Sequence, residues 1–178
     1  ILINNMVNSE LVNDGKSNKV FRKTRKKFPK WTKRVVKVRR ITKVIKGGKK
    51  LRFGAVVVIG NANGQVGLGV GKADDVVEAV KKAVNDGKRE LISIPITKNY
   101  SIPYTVTGKY GAANVIIKPA MAGSGVLAGG SVRTVLELSG IQNISAKQLG
   151  CDNLLNNARA TMCALKSIKT QNIFNKID

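Results

Sequence analysis

Seven cations, Arg39, Arg40, Lys43, Lys46, Lys49, Lys50 and Arg52, flank the pair Gly47-Gly48. Lys and Arg at this density suit one task above others, the neutralisation of phosphates. Adjacent glycines let a backbone approach a sugar–phosphate chain closely. An ordinary solvated face would intersperse Asp and Glu, yet no acidic residue lies between Gly15 and Ala73. The candidate RNA-binding set is therefore Arg39, Arg40, Lys43, Lys46, Gly47, Gly48, Lys49, Lys50 and Arg52, joined by Lys72 further along.

Two glycine-rich stretches invite a nucleotide-binding reading. In Gly64–Lys72 the P-loop spacing fails, because Val66 and Ala73 stand where a glycine and a Ser or Thr are needed. The dinucleotide fingerprint fails as well, since Gly67, Gly69 and Gly71 are two apart. Period two in a strand places all three on one face and bares the backbone there. Close packing of the following helix is the first reading of that face, and direct approach of RNA the second. Gly123 to Gly130 precedes a helix start, where backbone N–H groups could hold an anion. A tight crossover or a protein contact would explain it equally. The chain has no histidine, and Cys151 and Cys163 stand twelve apart without a C-x-x-C pair. Acid–base and metal chemistry lack their usual groups, so neither an enzyme nor a cofactor is expected, and a reducing compartment fits.

Elements must position these residues. Arg34–Ile45 interleaves β-branched and basic residues and reads as a strand, broken at Gly47-Gly48. Leu51–Gly60 is the strongest strand, Asn61–Gly64 a turn, and Gln65–Gly71 the return. Asp74 and Asp75 suit an N-cap and first turn. The helix runs to about Asp86 on a stripe of Val76, Val77, Val80, Ala83 and Val84, with Gly87 as its C-terminal stop. Leu91–Ile96 opens a second unit. Strands at Tyr104–Thr107 and Val115–Ile117 follow, then a helix capped by Ser131 and stopped by Gly140. A short strand at Ile141–Ser145 precedes a last helix capped by Asn153 with Leu154, Leu155, Ala158, Met162 and Leu165 on one stripe. The fold class is α+β. Residues 1–34 form a basic, largely irregular arm, 35–89 a β-β-β-α domain, 90–168 a C-terminal α+β domain and 169–178 a tail. Within the arm Phe21, Phe28 and Trp31 could stack on bases, whereas Phe53 reads as core.

Composition agrees. The 178 residues carry 32 Lys+Arg against 10 Asp+Glu, a formal charge of +22. Eighteen of those cations lie between Lys16 and Arg52. Self-repulsion of that size opposes a compact chain unless a polyanion relieves it, and nucleic acid is the commonest polyanion. No apolar run approaches the roughly 20 residues of a membrane span. Residues 16–40 share the acid-poor character of a transit peptide, but Val35, Val36, Val38 and Ile41 already read as folded chain.

Four motifs carry a family resemblance. Thr42-Lys-Val-Ile-Lys-Gly-Gly-Lys-Lys-Leu-Arg-Phe53 is the first, and Gly60-Asn-Ala-Asn-Gly-Gln-Val-Gly-Leu-Gly-Val-Gly-Lys-Ala73 the second. Gly125-Val-Leu-Ala-Gly-Gly-Ser-Val-Arg-Thr-Val-Leu-Glu-Leu138 is the third; Ala146–Gly150 followed by Asn156–Ala160 is the fourth. In that order they resemble the small-subunit ribosomal protein five family over roughly Arg34 to Leu165. The resemblance implies a double-stranded-RNA-binding-like first domain without the usual first helix, and a second domain of the left-handed β-α-β kind. It also implies binding to small-subunit rRNA, contacts with small-subunit proteins four and eight, a place where mRNA enters, and an influence on decoding accuracy. By position, Thr42, Val44 and Lys46 match an rRNA-contacting loop associated with spectinomycin resistance, and Gly125 and Arg133 match the contact with protein four. Gly123 belongs to the same candidate protein interface. Ala122 and Asn114 depart from the family's usual acidic and basic residues. Several stretches, among them Asn85–Lys88 and Lys147–Gly150, look like the cyanobacterial and plastid branch, so a plastid ribosome is expected. The other reading is a free double-stranded-RNA binder.

Overall fold

The computed structural model describes residues 31–168. The expected arm up to residue 30, with Phe21 and Phe28, and the tail from 169 lie outside the described residues. Two four-stranded sheets and three helices make up the α+β fold. The first sheet has the order β1 (Thr32–Ile45), β2 (Gly48–Gly60), β3 (Gln65–Ala73) and β4 (Leu91–Ser93), all antiparallel. Helix α1 (Val76–Gly87) crosses one of its faces. β1 starts two residues earlier than the sequence pattern suggests, so Thr32–Arg34 are strand rather than arm.

β2 explains the continuous apolar run Val56–Ile59. Its side chains alternate between two buried faces rather than between core and water. Ala55, Val57 and Ile59 pack with Ala79 and Ala83 of α1. Val58 points the other way, into a second cluster with Val66, Leu68 and residues of the C-terminal half.

Glycine spacing sets the distance between sheet and helix. A Cβ on Gly67 would lie 2.2 Å from the Gly87 carbonyl oxygen, one on Gly69 2.0 Å from that of Ala83, and one on Gly71 2.2 Å from that of Ala79. Three glycines two apart on a strand thus meet three small residues four apart on a helix. The packing reading of the Gly67–Gly71 face holds. The helical stripe differs from the one expected: Val77 is exposed, and Ala79, Ala83 and Gly87 are the buried line. Gly87 is helical, not a left-handed stop, and its small size serves packing against Gly69 and Ile59.

The second sheet has the order β5 (Val106–Tyr110), β6 (Ala113–Pro119), β8 (Ile144–Leu149) and β7 (Val126–Leu127). β7 runs parallel to β8, and α2 (Gly130–Ser139) makes the crossover between them, a β-α-β unit. α3 (Leu154–Ser167) lies over β5 and β6, with Gly108 set against Ala160 and Ala164. Asn153 caps α3 by accepting from the Leu155 N–H, as expected. Gly140 ends α2 at φ 92, a conformation that disfavours a side chain.

Other expectations are corrected. Leu91–Ser93 does not open the second unit, because it pairs with Gln65–Gly67 as the edge of the first sheet. Ser131 is buried inside α2 and Gly129 takes the cap position. The strand expected at Ile141–Ser145 lies at Ile144–Leu149, and β7 sits unheralded within the glycine-rich loop. These short strands carry little alternation of their own, and pairing partners set their limits.

The two halves share a core. Val58, Val66 and Leu68 of the first sheet join Val115, Ile117, Leu136, Leu138 and Ile144 of the second half in one apolar cluster. The turn after β2 docks on the end of α2: the Ala62 N–H donates to the Leu138 carbonyl (3.1 Å) and the Gly64 N–H to that of Ser139 (2.8 Å). Gly60 has no room for a Cβ, which would lie 2.1 Å from the Leu138 carbonyl oxygen.

An ionic clamp adds to the junction. Glu137 on α2 accepts from Arg133 Nε (2.7 Å) and from Arg34 of β1. The Arg133 hydrogen bond is the main cause that holds the Glu137 carboxyl below its usual range, against a smaller opposing effect of burial, with Arg34 acting in the same sense as Arg133. Both arginines are well exposed, so each pair is worth only about 0.2–1 kcal/mol. A folded-state pKa below the unfolded one stabilises above the unfolded value and is lost as pH falls through the folded one. Glu137→Gln is therefore expected to lower the chemical-denaturation midpoint at pH 7. The gap to the parent chain closes as pH falls below about 4. An unchanged gap at pH 3 would assign the effect to packing.

Candidate RNA interface

The β1–β2 hairpin outruns its sheet. β3 pairs with β2 only as far as Phe53–Ala73, whereas β1 and β2 continue pairing from Ile41–Arg52 to Ile45–Gly48. Five further residue pairs at about 3.4 Å each project a two-stranded ribbon roughly 15 Å beyond the third strand. Every residue from Lys37 to Arg52 is exposed. Gly47, at φ 89, makes the tight turn with Lys46 beside it. Such a ribbon buries little of its own surface, and isolated hairpins are marginal in water. Its apolar residues, including Val44 at 74% exposure, face solvent in the free chain.

Period two sorts the expected RNA-binding residues onto two faces. Cross-strand partners point the same way, so Arg39, Lys43, Lys50, Arg52 and Lys72 share one face, with Lys37 and Ile41. Arg40, Thr42, Val44 and Lys49 share the other, and Lys46 with Gly47-Gly48 forms the tip. The structure thus places Lys43, Lys46, Lys49, Lys50 and Arg52 on the two-stranded ribbon, with cations on both sides and at its end, and leaves Arg39, Arg40 and Lys72 on the three-stranded sheet at its root.

Asp74 was not part of the expected set, yet it alters the electrostatics. Its carboxylate accepts from Arg52 Nε (2.9 Å) and lies 3.7 Å from Lys50 Nζ. Asp75, not Asp74, takes the helix cap position, without a side-chain cap bond. Two of the seven hairpin cations therefore already have an acid partner. Among the described residues Arg39, Arg40, Lys43, Lys46 and Lys49 have no ion pair, and the three lysines among them lie on the two-stranded part toward the tip.

The candidate protein interface has a different character. Gly123 (φ 88) and Gly125 (φ 73) lie on an exposed loop, and a Cβ on either would meet no neighbour within 4 Å. The loop is pinned from behind: Asn143 Oδ1 accepts from the Gly123 N–H (2.9 Å), and the Gly125 carbonyl from the Ile144 N–H (3.1 Å). Met121 and Leu127 on the same loop are 87% and 62% exposed. Arg133 projects from the adjacent first turn of α2 and is tied to Glu137.

Among the described residues no three His, Cys, Asp or Glu side chains group to hold a metal ion. The class that the fold and surface define is a basic α+β protein with a projecting two-stranded ribbon and an exposed loop carrying Met121 and Leu127.

Comparison with known proteins specifies the class. Residues 31–95 match the family described as ribosomal protein S5, N-terminal domain, and residues 108–176 the family described as ribosomal protein S5, C-terminal domain. The small ribosomal subunit protein uS5c of Rhodomonas salina is 60% identical over 89% of this chain and 92% of its own. That of Cyanophora paradoxa is 59% identical over 86% and 91%. The small ribosomal subunit protein uS5 of Acaryochloris marina is 57% identical over 83% and 84%. The chain belongs to the ribosomal protein S5 (uS5) family of the small ribosomal subunit. The first family match ends at residue 95, past β4, in agreement with the pairing of that strand in the first sheet.

Proposed function

We propose that this chain is an architectural, non-enzymatic protein of a plastid small ribosomal subunit, in which the β1–β2 ribbon binds small-subunit rRNA. The observation that carries the reading is the ribbon beyond Phe53: a projecting, exposed hairpin held to the body only at its root by Asp74 among the described residues, with three lysines toward its tip that have no acid partner there. A polyanion supplies both the missing counter-charge and the missing contact surface. The exposed loop holding Gly123 and Gly125, with Arg133 beside it, contacts small-subunit protein four, and the second domain also neighbours protein eight. From that position the chain supports decoding accuracy on the side where mRNA enters. The plastid assignment draws on the uS5c relatives.

Sedimentation of an organelle lysate through a sucrose gradient tests the reading. After a wash at high salt the chain is expected to remain with the small-subunit peak. Recovery in the soluble fractions would demote it to a transient RNA binder.

A further inference from the structure

One part of the first sheet has no cover. On the face turned away from α1, the end holding Val58, Val66 and Leu68 is buried by the second half of the chain. The other end is open and forms a cleft of about 230 Å³, walled on its far side by Leu155 of α3. Two rows of side chains make its floor. In one, Arg39, Gly54 and Lys72 are cross-strand neighbours on β1, β2 and β3. In the other, Lys37 precedes Val56 and Val70 in the same way.

The first row sets two cations on either side of a residue with no side chain. Strands lie about 4.8 Å apart, so Arg39 and Lys72 are rooted roughly 10 Å from one another across Gly54. That gap suits a phosphate group, with one cation on each side. The end of the Ile41 side chain overhangs Gly54, where a Cβ would lie 2.8 Å from Ile41 Cδ1, and this flexible end turns aside to admit an anion. The second row and Leu155 present aliphatic carbon directly beside the cations. Among the described residues no acidic side chain lines the cleft. A ligand matched to both rows carries an anion at one end and a flat apolar surface at the other.

We propose that the cleft holds one unpaired nucleotide of the bound RNA, with its phosphate between Arg39 and Lys72 over Gly54 and its base against Val56, Val70 and Leu155. The proposal rests on the rRNA-binding reading above and assigns a single-nucleotide subsite to it, separate from the ribbon tip. A duplex cannot enter, because a paired base is held in its stack. The site favours a nucleotide already splayed from a loop or bulge. Lys37 also lines the cleft and would meet the next phosphate. With aliphatic walls in place of aromatic ones, the subsite selects for an extruded nucleotide and not for base identity.

Chemical probing of the Watson–Crick edges of small-subunit rRNA tests this, with the full chain bound. Gly54→Ala fills the gap at little cost to the fold, because its Cβ meets only the end of Ile41; Lys72→Gln, on an exposed side chain, is the second variant. The parent chain is expected to protect one isolated unpaired nucleotide besides its other contacts. Both variants should lose that protection and bind about tenfold more weakly, and keep the protections lost on substituting Lys46. If both variants leave every protection in place, the subsite is wrong and the rRNA reading stands. If the parent chain protects no rRNA nucleotide at all, both fall.

Discussion

Gly69→Ala is expected to destabilise the protein by about 3 kcal/mol, at the upper end of what overpacking a tight contact costs. The added methyl would lie 2.0 Å from the Ala83 carbonyl oxygen and 2.4 Å from the Gly87 nitrogen. Both are backbone atoms, so no side chain can rotate away. Helix α1 must retreat by more than an ångström, and Ala55, Val57 and Ile59 lose contact with it. For a folded unit of this size the thermal midpoint should drop by roughly 10 °C. Gly130→Ala makes a useful comparison, because nothing lies within 4 Å of its Cβ and its backbone is helical. That substitution should change stability by less than about 0.5 kcal/mol. Calorimetry on the two variants measures the difference. Equal midpoints would mean that α1 is free to shift and that the glycine line does not set its distance.

Replacing Lys43, Lys46 and Lys49 together by Gln should weaken binding to small-subunit rRNA roughly 100-fold at physiological salt. Each neutralised phosphate contributes about 0.7–0.9 to the slope of log affinity against log salt, so three should lower that slope by about 2 to 3. At about 0.15 M salt, slopes of that size convert to about two decades of affinity. These three side chains are exposed, and among the described residues no ion pair holds them to the body, so the folded state should not change. Arg52→Gln gives a smaller loss, because Arg52 is already bonded to Asp74. Filter binding across a salt series, with circular dichroism as a check on folding, separates these cases. An unchanged slope in the triple variant would remove the ribbon from the interface.

Much of the candidate interface was readable from residue order alone. The run of cations without acids between Gly15 and Ala73 states a need for a polyanion, since charge counts do not depend on folding. The glycines at Gly47 and Gly48 mark a hairpin tip through local backbone sterics, and the structure turns there. Gly67, Gly69 and Gly71 announce one bare face because strand alternation is itself local. Gly54, in the middle of a strand, was a comparable signal of close approach that went unused.

The remainder depended on contacts between residues far apart in the chain. Asp74 reads locally as the start of a helix, and only the pairing of Phe53 with Ala73 carries it to Arg52. β4 alternates like the start of a new domain, yet the edge of β3 captures it. Leu155 fits a helical stripe in the sequence; its role as the wall of the cleft requires α3 to lie against the first sheet. Sequence by itself determined the chemistry of the partner, a polyanion, and the local elements that would meet it, because charge, turn geometry and strand period are properties of neighbouring residues. Tertiary structure alone decided which cations stay uncompensated, which face of the first sheet is covered, and that both halves share one core. Each of those depends on apolar surfaces and charges that meet only when distant segments pack together.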